Sequence, residues 1–145
     1  MRAAPSCFAV VLAFAAAFAA PRTDDGAREA AAAFGRALSA GNAGSLLPIL
    51  PDQGRVHVTL VRMGPEEGRF GANQVVALFR DFLAGGKLAQ FEIVRCETDG
   101  ARSALAHAKA VVTDRGGRSG RIGVHLAFEP EGERWVLREV KETVE

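Results

Sequence analysis

The chain has 145 residues, 18 basic and 17 acidic side chains, a formal net charge of +1 and 48% hydrophobic residues. This length suits one domain with a core of its own. Because the two charge signs nearly balance and are interspersed, no basic patch of the kind that binds nucleic acid is present, and we predict no nucleic-acid partner.

The first 19 residues have the pattern of an export signal. Arg2 is their only charge, an apolar run covers residues 7–18, and Ala17-Phe18-Ala19 fits a small-x-small cleavage site. The run is shorter than the roughly 20 apolar residues that span a membrane as a helix. We therefore predict a signal peptide over residues 1–19, no membrane span, and one periplasmic or secreted domain over residues 20–145.

After that cleavage Cys96 would be the single cysteine. We expect no internal disulfide and a core stabilised by burial. A catalytic thiol needs a neighbouring base and an electropositive setting, and the sequence establishes neither. A half-buried strand position is the simpler interpretation of Cys96, and its role stays open.

A helix is predicted from Asp24 to about Ala40. Its apolar residues recur at the 3.6-residue spacing of a helix with one buried stripe. They are Ala27, Ala30, Ala31, Phe34 and Leu38. Gly41 ends this helix, and Asn42 begins a shorter one.

A strand and a third helix come next. Residues 55–62 alternate on two faces, which indicates a half-buried strand. Residues 63–69 have the glycine and proline content of an exposed loop. Gly71 followed by Gln74 has the spacing of a helix N-terminus, and the apolar stripe that follows continues the helix to Leu83.

A first hairpin is predicted at Asp99-Gly100, a strong signal for a two-residue turn. This turn sets Phe91 opposite Ala108 and Glu92 opposite His107. The register of the other strands stays open.

A second hairpin covers residues 121–142. Its first strand is a run of alternating apolar residues, and its turn falls at residues 130–132. A four-residue loop there sets Phe128 opposite Trp135. Residues 115–120 read as a flexible connection into this hairpin and not as a phosphate loop, because no Walker or dinucleotide pattern surrounds them.

Together these elements predict an α+β domain. Its curved antiparallel sheet has about five strands, with two or three helices packed on one face. The element order, with FGRALSAGN at the end of the first helix, RFGANQVVALFRDFL in the third and EGERWVLREVKE at the end, resembles the nuclear-transport-factor-2-like (NTF2-like) superfamily. The chain looks most similar to small secreted bacterial members of unassigned function. The resemblance spans most of residues 27–142.

The resemblance implies a cystatin-like cone, in which the sheet curls around a pocket roofed by the helices. Some members of the superfamily are isomerases, dehydratases or cyclases and many only bind, so the fold does not select an activity. The implied apolar lining consists of Phe34, Val58, Leu60, Phe79, Phe91, Ile93, Leu126, Phe128 and Trp135. For Trp135 a core position is the commoner interpretation and a ligand-stacking position the other. These residues supply no acid or base, so we predict no catalytic residue and no cofactor.

Polar candidates fall on the other face of the sheet. The three histidines lie on separate strands without His-x-His spacing or a carboxylate cluster, so we predict no metal site. They are His57, His107 and His125. The predicted pair of Glu92 with His107 is either an active-site dyad or a solvated ion pair, which is worth about 0 to 1 kcal/mol.

The sequence thus favours an exported, non-catalytic ligand-binding or protein-interaction domain with a small apolar ligand in the cone. The alternative is an isomerase- or dehydratase-type enzyme acting on a small apolar substrate there. We also predict a homodimer through the outer face of the sheet, because the helices leave an apolar patch uncovered on it. The patch residues are Val61, Leu88, Val94, Leu105, Val111 and Ala127.

Overall fold

The computed structural model describes residues 24–145, so the predicted signal peptide lies outside the described residues. Two α-helices, one 3-10 helix and six strands follow one another in this part of the chain. They are α1 (Asp24–Ser39), the 3-10 helix (Ala43–Ile49), β1 (Val56–Thr59), β2 (Glu67–Phe70), α2 (Ala72–Leu83), β3 (Lys87–Asp99), β4 (Ser103–Thr113), β5 (Ser119–Glu131) and β6 (Arg134–Val144).

All six strands form one sheet in the order β2-β1-β6-β5-β4-β3. Only the contact between β1 and β6 is parallel, and the other neighbours are antiparallel. The predicted α+β class is therefore confirmed. The loop predicted over residues 63–69 is wrong in part: Glu66 accepts a hydrogen bond from the Leu60 backbone at 2.8 Å, and the chain turns back early enough for β2 to pair with β1.

The β3–β4 hairpin forms where it was predicted, but in another register. Ser103 pairs with Asp99 around a three-residue turn, because Asp99 does not adopt the positive φ that the first central position of a type I′ turn requires. Two irregularities in β3 shift the pairing further, and Gln90 has a φ of 53° beside one of them.

The consequences of this register correct two predicted pairs. Ile93, and not Phe91, lies opposite Ala108, and the partner of Glu92 is Lys109. The predicted neighbour relation of Glu92 and His107 is wrong for the same reason. The predicted pair of Phe128 and Trp135 is also wrong: the second turn has only two residues, so that Trp135 lies opposite Pro130.

The helices cover one face of the sheet. Helix α1 packs on β3 and β4, while α2 packs on the 3-10 helix and β2. All five residues of the stripe predicted for α1 are buried. Phe34 of this stripe meets Phe79 of α2 edge-on, with ring centroids 5.6 Å apart, so the two helices share one core. None of the helices in residues 24–145 has the length and apolar character needed to cross a membrane.

The outer face of the sheet, which points away from the helices, keeps much of the predicted apolar patch. Leu105 is 59% exposed there, and Val94 is exposed on β3, at the irregularity next to Arg95. Leu88 was placed on this face wrongly: it is buried opposite Val112, because the irregularity after Ala89 reverses the facing of the residues that precede it.

Candidate functional site

Three segments meet at one end of the core and form a cleft of about 480 Å³, which we call the arginine cleft. The segments are the chain after β1, the last turn of α2 and the turn between β4 and β5. Its lining includes the guanidinium groups of Arg62, Arg115 and Arg118. A small apolar wall consists of Met63, Pro65 and Phe82.

The β4–β5 turn is held by one aspartate. Oδ1 of Asp114 accepts hydrogen bonds from the backbone N–H groups of Gly116 at 2.9 Å and Arg118 at 3.0 Å. The backbone N–H of Asp114 in turn donates to the Arg118 carbonyl at 2.9 Å. The connection predicted over residues 115–120 is a hydrogen-bonded turn that joins β4 to β5, and its last two residues already belong to β5.

Arg115 is fixed against helix α2. Its guanidinium donates to the backbone carbonyl of Asp81 at 2.6 Å and to the Asp81 carboxylate at 3.0 Å. The stem of Arg115 crosses Gly85 so closely that a Cβ there would lie 2.8 Å from the arginine Cγ. The Arg115 charge is thus already paired inside the cleft.

Arg62 and Arg118 have no carboxylate partner among residues 24–145. The Arg118 side chain is exposed, whereas Arg62 is half-buried. The guanidinium of Arg62 rests on Gly120, where an added Cβ would lie 2.6 Å from the arginine Cζ. The Arg62 guanidinium therefore occupies the space that a side chain at Gly120 would fill.

A buried carboxylate supports this wall of the cleft. Glu142 on β6 is 2% exposed, and its two oxygens accept hydrogen bonds from the backbone N–H groups of Arg62 at 2.6 Å and Met63 at 2.8 Å. Our sequence reasoning did not single out Glu142. Continuing the two-residue alternation of β6 beyond Val140 would have found it, since Glu142 lies on the same inward face.

The predicted pocket residues lie elsewhere. Seven of the nine belong to the packed core and are at most 5% exposed. They are Phe34, Val58, Leu60, Phe79, Leu126, Phe128 and Trp135. None of the nine lines the arginine cleft.

The other two predicted residues, Phe91 and Ile93, line a second cleft of about 480 Å³ between α1 and β3, the helix–strand groove. Phe91 lies directly over Gly35 of α1, where a side chain would collide with its ring. Both residues are half-buried.

Trp135 lies at the start of β6, at the opposite end of the strand from Glu142. Its indole packs on Gly26 of α1, where a Cβ would lie 3.3 Å from Nε1. Nε1 is buried and has no hydrogen-bond partner within residues 24–145. These contacts place Trp135 in the core.

The outer face brings two histidines together. His107 and His125 are cross-strand partners with ring centroids 4.2 Å apart, and Nδ1 of His107 lies 3.1 Å from Nε2 of His125. His57 instead contacts Glu139, with 3.0 Å between Nδ1 and Oε2. Within the described residues no group of three or more His, Cys, Asp or Glu side chains could hold a metal ion.

Partial burial lowers the pKa of His125 from its ordinary value of 6.5, and the positive charges of His107, Lys141 and Arg95 lower it further, while Glu139 opposes them. The folded protein therefore favours neutral His125 more than the unfolded chain does. The stability that this contributes is fully present above about pH 6.5 and is lost as the pH falls through the lower pKa of the folded state.

No protein-family model and no curated protein matches the chain. Solved structures do match. A putative dehydratase of the NTF2-like family from Streptomyces avermitilis gives a TM-score of 0.65 at 18% identity, covering 83% of this chain and 94% of that one. This chain has the NTF2-like fold.

Two further structures with this fold agree. A ketosteroid isomerase-like protein from Erwinia carotovora atroseptica gives a TM-score of 0.66 at 12% identity over 83% of this chain and 94% of that one. An uncharacterised protein with a cystatin-like fold from Caulobacter vibrioides gives 0.65 at 18% identity over 83% and 88%. The predicted NTF2-like resemblance is confirmed, and at these identities the likeness extends to the fold alone.

Proposed function

We propose that this NTF2-like domain is a non-catalytic binding protein that holds a small molecule in the arginine cleft. The observation that carries the proposal is the cleft itself, whose volume of about 480 Å³ lies within the usual range of small-molecule sites. Phe82, Met63 and Pro65 offer it an apolar wall, so the ligand has an apolar body as the sequence suggested. The site differs from the predicted one, because the aromatic residues expected to line it belong to the core.

The hydrogen bonds around the cleft support binding over proton transfer. Asp81 accepts from Arg115, Asp114 accepts from its own turn, and Glu142 accepts from two backbone N–H groups. A general base must reach the proton that it removes, and the one buried carboxylate among these, Glu142, has both oxygens occupied by backbone N–H groups. An isomerase or dehydratase is the alternative, which the descriptions of two structural neighbours support.

Blocking the cleft tests where the ligand binds. We expect decan-1-ol, titrated by calorimetry, to bind the purified protein and to lose at least about tenfold in affinity in Gly116→Trp, which places an indole inside the cleft. Ala101→Trp, in the exposed turn at the other end of β4, is the matched control and should bind like the parent. Equal binding by the parent and Gly116→Trp would exclude the arginine cleft, and no binding at all would count against an apolar ligand.

The domain is also proposed to act outside the cytoplasm, which the pattern of residues 1–19 supports. Native mass spectrometry of the protein from its own source reports on both proposals at once. We expect a chain that lacks residues 1–19, together with the added mass of a bound small molecule. A chain that still begins at Met1 in the exported fraction would contradict the cleavage.

A homodimer through the outer face is the second proposal, and the arrangement of charges favours it. Two neighbouring rows of side chains run across β3, β4, β5 and β6. In each row, the residues on adjacent strands are cross-strand partners. The basic row consists of Arg95, His107, His125 and Lys141. The mixed row beside it consists of Glu97, Leu105, Ala127 and Glu139.

A twofold axis parallel to the two rows and between them would place the basic row of one copy over the mixed row of the other. Arg95, which already lies 3.3 Å from Glu97 within one copy, would then also face Glu97 of the second copy. Lys141 would face Glu139, which contacts His57 in its own copy. Leu105 and Ala127 would be covered at the centre. The face is thus self-complementary, as a symmetric dimer interface must be.

Self-association is tested with Leu105→Arg. We expect the parent protein to sediment as a dimer in the micromolar range and Leu105→Arg as a monomer, because the new guanidinium would be buried opposite the basic row of the second copy. Leu47→Arg is the matched control, since Leu47 is 49% exposed on the 3-10 helix, away from the outer face. A monomeric parent, or a dimer that Leu105→Arg leaves intact, would contradict the proposal.

A further inference from the structure

We propose that the arginine cleft selects ligands that carry a carboxylate on their apolar body, and that Arg62 and Arg118 bind this carboxylate. The inference rests on the proposed function, since it concerns the same cleft. It adds the chemical class of the ligand and the two residues that recognise it.

The guanidinium groups of the cleft are only partly paired. Its lining carries three of them and two carboxylates, those of Asp81 and Asp114. The Asp81 carboxylate is paired with Arg115, and Oδ1 of Asp114 accepts two backbone N–H groups of its own turn. The buried carboxylate of Glu142 behind the wall accepts two backbone N–H groups as well. A ligand anion would pair with the two guanidinium groups that have no carboxylate partner among the described residues.

Arg62 is already held in position at the cleft. Its backbone N–H is held by Glu142, and its guanidinium rests on the bare backbone of Gly120. Arginine offers a planar fork of N–H donors that matches a carboxylate, and less freedom is lost on binding when the fork is already positioned. Arg62 is also half-buried, so its attraction to an anion is screened less than on an open surface.

The apolar wall of the cleft suits an organic anion better than a simple inorganic one. Phe82 and Met63 belong to the hydrophobic core and still line the cleft, with Pro65 beside them. A fully hydrated anion would gain nothing from this wall, whereas an alkyl or aryl group would be removed from water there. The cleft therefore combines an anion site with an apolar site, as an organic carboxylate requires.

The decisive comparison is decanoate against decan-1-ol, which have the same number of carbon atoms and differ in the charge of the head group. In calorimetric titrations at pH 7 we expect the parent protein to bind decanoate at least about tenfold more tightly, since hydrogen bonds to charged groups are the stronger ones. Arg62→Gln and Arg118→Gln should each remove most of this preference, because they weaken decanoate binding more than decan-1-ol binding. Arg102→Gln, an arginine in the turn between β3 and β4 at the far end of the sheet, should change neither.

A charge-preserving variant distinguishes the position of Arg62 from its charge. Gly120→Ala puts a methyl group where the guanidinium lies, and only the end of a flexible side chain has to move. We expect decanoate affinity to fall towards that of Arg62→Gln while the thermal midpoint stays the same. Decanoate binding that is unchanged in both Arg62→Gln and Gly120→Ala would overturn the assignment.

The outcomes also separate the two proposals. If the parent binds decanoate and decan-1-ol equally, and Gly116→Trp weakens both, the cleft is a binding site but not one for anions, and this inference fails alone. If the parent binds neither molecule, the proposed function fails with it.

Discussion

Replacing Phe79 with alanine is expected to lower the free energy of unfolding by about 3 to 5 kcal/mol, the range for emptying a buried aromatic site. Phe79 is completely buried, and its ring meets Phe34 edge-on at an interplanar angle of 86°. The two rings connect α2 to α1. The residues around an emptied site would therefore belong to both helices and could move little to fill the cavity. Urea unfolding followed by circular dichroism measures the change.

Leu47→Ala is the matched control for Phe79→Ala. Leu47 is about half exposed on the 3-10 helix, and its truncation should change the unfolding free energy by about 0.5 kcal/mol or less. The double variant with Phe34→Ala should reveal a coupling of about 0.5 to 1.5 kcal/mol between the two rings. A loss below about 1 kcal/mol in Phe79→Ala would mean that α2 does not pack in the core as described.

Glu142→Ala is expected to lower the free energy of unfolding by about 2 to 6 kcal/mol. It leaves two backbone N–H groups without their acceptor, and each buried unpaired donor costs roughly 1 to 3 kcal/mol. The Met63 N–H is buried, whereas the bond at Arg62 is only partly buried and water can replace it in part, so a value in the lower half of the range is expected. Chemical denaturation measures the loss, and amide hydrogen exchange at both residues should speed up.

Glu139→Ala is the control for Glu142→Ala. Glu139 lies on the same strand, but its side chain is 41% exposed and its partner is His57. An exposed ion pair contributes about 0 to 1 kcal/mol, so this variant should be close to the parent. Equal losses of unfolding free energy in the two variants would show that the hydrogen bonds to Glu142 stabilise the protein no more than an exposed ion pair does.

The local patterns in the sequence were sufficient for the fold. The apolar stripe of α1 from Ala27 to Leu38 and the alternating apolar residues from Ile122 to Phe128 are buried as predicted. Helix α2 begins after Gly71, whose backbone N–H donates to the Gln74 side chain. These features depend on neighbours within a few residues, where 3.6- and two-residue periods decide which side chains are buried. The predicted class, and the resemblance built on it, follow from them.

The strand registers were not determined in this way. Gly100 adopts a positive φ but Asp99 does not, and the irregularities at Gln90 and Val94 shift one strand against the next. Whether such a residue bulges depends on how the strand fits the sheet and the helix above it. The predicted pair of Glu92 and His107 depended on the register alone, and it was therefore wrong.

The arginine cleft is the clearest case of what only the tertiary structure decided. Arg62, Asp81 and Arg118 lie in three separate segments of the chain, and no spacing in the sequence connects them. Glu142 reaches the backbone of Arg62 across 80 residues. The sequence by itself determined which apolar residues of α1, α2 and β5 are buried, because burial there follows local periodicity. It did not determine which polar groups meet or which lack a partner, because those contacts form only when distant segments pack at the end of the sheet.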